Sequence, residues 1–148
     1  MDKFIDNYNL GYHSLSNFDI INIVKKVEIP HFKGVCMRDT LGKKPRKQEC
    51  GILNLNTSNE PGSHWVCWYK NGSQRIYFDS FGCICPKELQ KYLKTQAEFK
   101  NNILCIQRNT EQVQQSNTQI CGQLCLYVLK QLSNGMHFQN VINIISPL

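Results

Sequence analysis

The sequence predicts an α+β domain, and three observations carry that expectation. Two β-rich runs, His64-Trp-Val-Cys-Trp-Tyr69 and Gln74-Arg-Ile-Tyr-Phe-Asp79, flank Lys70-Asn71-Gly72-Ser73. Asn-Gly between such runs is a strong hairpin signal, because both residues tolerate positive φ. The stretch from Cys121 to Leu132 is apolar nearly all round, the pattern of a helix buried in the middle of a fold. Leu15, Phe18, Ile21, Val24 and Val27 recur every three residues, as the inward stripe of a further helix would.

Taken in order, the elements run as follows. Phe4, Tyr8 and Tyr12 are spaced by four and suit a short docking helix or an arm over residues 1–15. Ser16 can cap the next helix, with Asp19 as the acidic residue three positions on, and Pro30 ends it. A basic loop follows from about Met37 to Glu49. Gly51 to Asn56 alternates as a strand, and the hairpin comes next. Pro86 to about Lys100 suits a surface helix with Leu89, Tyr92, Leu93 and Phe99 inward. Asn102 to Gln107 suits a short strand, and Val141 to Ile145 a final apolar element. Helix, strands, helix, strand and buried helix make one α+β domain over residues 1–148.

Composition narrows the function classes. Hydrophobic residues are 41% and charged residues 19% of the 148, which argues against a disordered chain. The longest apolar run, Leu124 to Leu129, is far below the roughly 20 residues needed to span a bilayer. The first residues show no basic stretch followed by an apolar one, so no signal peptide is expected and the chain reads as intracellular. Net charge is +6, with Lys43, Lys44, Arg46 and Lys47 clustered around Pro45. Such a run is a solvated loop or a contact for a polyanion. No zinc-finger, RNA-recognition or P-loop pattern accompanies it.

The eight cysteines are Cys36, Cys50, Cys67, Cys83, Cys85, Cys105, Cys121 and Cys125, too few for a disulfide scaffold, where about 8–10% is usual. Cys83-Ile-Cys85 and Cys121-Gly-Gln-Leu-Cys125 do not form matched knuckles, so no metal is expected. Most are expected to be small core residues.

If Asn71-Gly72 is a two-residue turn, Lys70 faces Ser73 and His64 faces Asp79. Residues so opposed share a face with Cβ atoms roughly 4.5–5.5 Å apart. A carboxylate there can accept the imidazole Nδ1 proton and leave Nε2 free to act. Cys121 is the natural partner: it begins the buried helix, whose dipole lowers a thiol pKa, and Gly122 allows close approach. Cysteine, histidine and aspartate together supply nucleophile, base and orienting group. Gln114 and Gln115 each offer an amide for an oxyanion. Taken singly, Cys121 also fits a core thiol, His64 a satisfied strand histidine and Asp79 a turn cap.

In chain order, Gly62-Ser-His64-Trp65, Tyr77-Phe-Asp79-Ser-Phe81-Gly82, Val113-Gln114 and Cys121-Gly122-Gln-Leu-Cys125 resemble the adenain family. These are the maturation proteases of adenoviruses and of related Polinton-type elements, in the same clan as the ubiquitin-like-protein proteases. The resemblance covers about Asn17 to Leu132. It implies a small cysteine-protease fold, with an antiparallel-containing sheet packed on a buried helix that starts at the nucleophile. It also implies cleavage of virion precursor proteins at Gly-containing sites.

Residue by residue, it implies Cys121 as nucleophile, His64 as general base and then acid, and Asp79 as the third, acidic position. Trp65 would shield the histidine and, with Gly122, line the substrate path. The oxyanion glutamine maps to Gln114 by the adenain spacing and to Gln115 by that of the ubiquitin-like-protein proteases. The family's activators, a capsid-derived peptide and viral DNA, imply a disulfide at Cys105, which alternatively reads as a free thiol. They also imply a non-sequence-specific DNA contact at Lys43, Lys44, Arg46 and Lys47. No cofactor is required for the chemistry, and a monomer in the virion and the host-cell nucleus or cytoplasm is expected. Two other functions remain open: removal of ubiquitin or a ubiquitin-like modifier, and a non-catalytic DNA- or capsid-binding domain.

Overall fold

A computed structural model describes residues 1–60, 63–95 and 105–146. The chain opens with α1 (Asp2–Asn7), whose Phe4 and Ile5 are buried. Phe4 packs edge-on against Tyr127, with ring centroids 5.4 Å apart, so the first residues are part of the packed body. Helix α2 (Asn17–Val27) begins at the capping box expected from the sequence: the Asp19 N–H donates to Ser16 Oγ and the Ser16 N–H to Asp19 Oδ2. Its inward face is Ile20, Val24 and Val27, while Phe18 and Ile21 are exposed. A strict spacing of three drifts around a helix of 3.6 residues per turn, so the stripe the sequence predicts could not all face inward.

Strand β1 (Phe32–Met37) follows at a position the sequence leaves unassigned. Every residue in it is half-buried, so no alternation betrays it. Strand β2 (Gln48–Asn54) pairs with it in parallel. Gly51 lies opposite Trp68, and a Cβ there would sit 2.3 Å from the indole. Strands β3 (Trp65–Asn71) and β4 (Gln74–Phe78) form the hairpin.

The hairpin register differs from the sequence expectation. Asn71 pairs with Gln74 and Lys70 with Arg75, so the loop is Gly72-Ser73, one residue later than expected. Gly72 holds φ at +60° and leads the turn, the place glycine takes in a type II′ loop. Asn71 therefore stays in the strand.

Helix α3 (Lys87–Leu93) buries Leu89, Tyr92 and Leu93; Phe99 and residues 102–104 lie outside the described residues. Strand β5 (Ile106–Arg108) pairs in parallel with β4. The chain then forms α4 (Cys121–Ser133) and α5 (Phe138–Ile145). The five strands make one mixed sheet in the order β1-β2-β3-β4-β5, antiparallel at its centre.

Side chains alternate across this sheet as a pleated strand requires. Cys50, Ile52, Cys67, Ile76 and Phe78 enter the core shared with α1, α2, α4 and α5. Leu53, Val66, Trp68 and Tyr77 enter a second core under α3. Helix α4 packs on β3, and the Cys125 thiol lies 3.5 Å from the Trp65 carbonyl oxygen. The result is an α+β architecture in which the buried helix α4 starts beside the first residue of β3, the central strand of the sheet.

Candidate active site

His64 immediately precedes β3 and Asp79 immediately follows β4, so the two antiparallel strands carry them to the same sheet end. Continued past the strand ends, the observed register sets His64 opposite Phe81 rather than Asp79. The imidazole accordingly stacks on the Phe81 ring, with centroids 4.7 Å apart and planes 27° from parallel. Contact with Asp79 survives because the chain turns at once: Gly82, at φ +73°, donates its N–H to the Asp79 carbonyl. His64 Nε2 lies 2.7 Å from Asp79 Oδ1. The ring is therefore reversed from the sequence expectation. Nε2, not Nδ1, meets the carboxylate, and Nδ1 is the nitrogen left for the hydrogen bond the imidazole makes with Cys121.

Asp79 is almost wholly buried, and Oδ1 also accepts the Phe81 N–H at 2.8 Å. Its backbone is gripped by Asn109, a buried residue just after β5. The Asn109 amide donates to the Asp79 carbonyl at 2.6 Å, and its oxygen accepts the Asp79 N–H at 3.2 Å. Nothing in the sequence around Asn109 marks this role, which arises only when β5 docks beside β4.

Cys121 is the first residue of α4, and no side chain caps that helix. Its first N–H groups are thus unclaimed within the helix, and the positive end of the dipole falls on the thiol. Sγ accepts the Trp65 N–H at 3.5 Å. Burial alone would raise the Cys121 pKa, but hydrogen bonds from His64, Trp65 and Gly122, with the imidazolium charge, lower it. Burial alone would likewise lower the His64 pKa. The hydrogen bonds to Asp79 and Cys121, and their negative charges, outweigh it and lift the value to about 9. Opposite shifts in two touching groups favour a thiolate beside an imidazolium over a neutral pair.

Gln114 is buried, and its amide is held at both ends: Oε1 accepts the Ser80 hydroxyl at 2.6 Å and Nε2 donates to the Thr118 carbonyl at 2.9 Å. Gln115 is exposed and lines a separate hollow of about 580 Å³ with Tyr12, Ile120 and Ile145. Trp65 is buried, and its Nε1 donates to the Leu15 carbonyl at 2.8 Å. Leu15, Val35, Met37, Asn54 and Trp65 line a cleft of about 470 Å³ that reaches Cys121. The close approach Gly122 permits is that of Leu15 and Trp65, whose side chains would lie 3.1 and 3.3 Å from a Cβ there.

The remaining candidates lie on the surface. Cys105 is an exposed free thiol just before β5. Lys43, Lys44, Arg46 and Lys47 are all exposed. The backbone of their loop is pinned from inside. Buried Glu49 accepts the Arg46 N–H at 2.7 Å, and Lys70 Nζ and the Gly72 N–H donate to the Lys47 carbonyl at 3.0 and 2.9 Å.

No family model matches the chain. A curated protein named "Protease" from Bovine adenovirus 2 is 29% identical over 97 residues, covering 60% of this chain and 47% of that protein. The chain thus spans about half the length of this relative. Crystal structures of the ASFV pS273R protease, native and selenomethionine-labelled, superpose with a TM-score of 0.55 at 17% and 15% identity. They cover 87% of this chain and 61% of theirs, and show a shared fold. In sequence the chain is thus similar to an adenovirus protease, and in fold to the ASFV pS273R protease.

Proposed function

We propose that the chain is a cysteine endopeptidase that trims viral structural precursor proteins at Gly-containing sites. The observation that carries this reading is the contact of Cys121, at an uncapped helix start, with a His64 whose far nitrogen is held 2.7 Å from buried Asp79. That arrangement supplies an ionised nucleophile, a proton donor and a group that fixes the ring. Similarity to an adenovirus protease supports the choice of a peptide bond as target.

In the first step the Cys121 thiolate adds to the scissile carbonyl. The oxyanion is held by the Cys121 N–H and the second N–H of Gln114 Nε2, which has no partner among the described residues. The His64 imidazolium delivers its Nδ1 proton to the departing amine, and the thioester forms. Water then gives a proton to neutral His64, attacks the thioester, and the acid product and the resting ion pair are released. Asp79 stays ionised throughout and keeps Nε2 protonated. The Trp65-walled cleft beside Cys121 suits a thin, extended strand with small residues next to the bond.

The pinned loop 43–47 presents four cations on a fixed backbone, an arrangement suited to a phosphate backbone and to activation by DNA. The exposure of the free Cys105 thiol supports attachment of an activating peptide there through a disulfide.

Cleavage-site profiling with a mixed peptide library tests the reading, using duplex DNA in one arm. The expected products end in or flank glycine, and the DNA arm is faster, with a gain that fades at high salt. Turnover only of ubiquitin-like Gly-Gly adducts would move the chain to the isopeptidase reading. No cleavage in either arm would leave the binding-domain reading.

A further inference from the structure

Ser80, in the turn just after the acid, makes three hydrogen bonds to Val113 and Gln114, two of them to Gln114. Its carbonyl accepts the Gln114 N–H at 3.0 Å, as it does that of Val113 at 2.8 Å, and its hydroxyl donates to Gln114 Oε1 at 2.6 Å. Ser80 is fully buried and Gln114 nearly so, so water does not compete for these bonds. The amide orientation follows from donor arithmetic. The Thr118 carbonyl can only accept, so the atom facing it at 2.9 Å must be Nε2. Oε1 then faces Ser80, whose hydroxyl is the donor it needs. One Nε2 hydrogen is spent on Thr118, and the other has no partner among the described residues.

We propose that Ser80 is a positioning residue that locks the Gln114 amide with its second N–H toward the oxyanion, and so acts on the reaction through Gln114. This rests on the reading of Gln114 as oxyanion donor. Because Ser80 adjoins Asp79, the acid and the residue that holds the amide are also carried on one turn, tied to segment 109–114 through Asn109 and Gln114. Removing the hydroxyl leaves Oε1 buried without a donor and frees the amide to rotate. A donor displaced by a fraction of an ångström stabilises the transition state less while barely changing ground-state binding.

The test is a double-mutant cycle of Ser80→Ala and Gln114→Ala, read on hydrolysis of a quenched-fluorescent Gly-Gly peptide and on iodoacetamide alkylation of Cys121. Alkylation needs the thiolate but no oxyanion donor, so it reports on folding and on the ion pair. Ser80→Ala is expected to lower kcat by about ten- to a hundredfold, with KM and the alkylation rate unchanged. In the Gln114→Ala background it is expected to add nothing further. Ser80→Cys, nearly isosteric and a weak donor, is expected to fall between, and it stands in if the alanine variant does not fold. An equal loss in both backgrounds, or alkylation falling in step with hydrolysis, would overturn the proposal, because Ser80 would then act on the whole site. A Gln114→Ala enzyme with unchanged kcat would instead remove the amide from the mechanism, and the proposal with it.

Discussion

Cys121→Ser is expected to fold and to lose peptide hydrolysis by at least about 10⁴-fold, the scale seen when a nucleophile that works in a unit is removed. The reason is ionisation rather than shape. The hydroxyl replaces a half-buried thiol that packs loosely against the Trp65 N–H at 3.5 Å, so stability should shift by no more than about 1 kcal/mol. A serine hydroxyl, however, is far too weak an acid to give its proton to His64 in the resting state. The bonds from His64, Trp65 and Gly122 that lower the Cys121 pKa cannot close that gap. Circular dichroism and urea unfolding would check the fold while the peptide assay reads activity. A serine variant within about tenfold of wild type would take Cys121 out of the nucleophile's role.

Asp79→Asn is expected to act through pH. His64 is held up at about 9 by bonds to Asp79 and Cys121 against the opposing effect of burial. The imidazolium is therefore present below about pH 9 and lost above it, and wild-type activity should fall along an alkaline limb near that value. The acid limb reports protonation of the thiolate, whose pKa is lowered, so the active window lies between the two. Both limbs belong to the coupled pair.

An asparagine oxygen at position 79 can still accept the Phe81 N–H, now 2.8 Å from Oδ1, and that bond turns the amide oxygen toward Nε2. Orientation survives, but the charge that favours imidazolium does not. The alkaline limb should then move down toward the ordinary histidine value of about 6.5. Activity at pH 8 should fall by more than about tenfold, and by much less near pH 6. A limb that stays near 9 would show that Asp79 does not set the state of His64.

How far the site was legible in the sequence depends on what kind of contact made each part. His64, Asp79 and Cys121 could be singled out because each lies at the end of a strongly patterned element. The hairpin was marked by Asn71-Gly72, yet its register slipped by one residue on each strand, because Gly72 leads the loop and Asn71 pairs with Gln74. Asp79 meets His64 through the turn after β4 and not across the ladder, a contact that strand geometry alone cannot supply. The same limit explains the ring: which nitrogen faces the acid depends on the side from which α4 approaches.

Elements with weak patterning were harder. Strand β1 is half-buried along its whole length and carries Gly34, so neither period stands out. Of the stripe Leu15, Phe18, Ile21, Val24 and Val27, Phe18 and Ile21 are exposed, because a spacing of three imitates a helix face over one turn only. Ser80 and Asn109 are small polar residues in loops, and their roles come from burial against segments some thirty residues away. Sequence pattern carries no trace of such contacts.

The central claim is an ionised Cys121 beside a protonated His64, and thiol labelling at pH 6 tests it most directly. Ordinary thiols, with pKa about 8.5, are almost wholly protonated there. Cys83 and Cys105 are exposed and Cys121 is only half-exposed, so access alone would favour the first two. With iodoacetamide and peptide mass mapping, the expected result is rapid, selective modification of Cys121, abolished in His64→Ala. Labelling of Cys83 and Cys105 at a rate equal to or above that of Cys121 would contradict the ion pair.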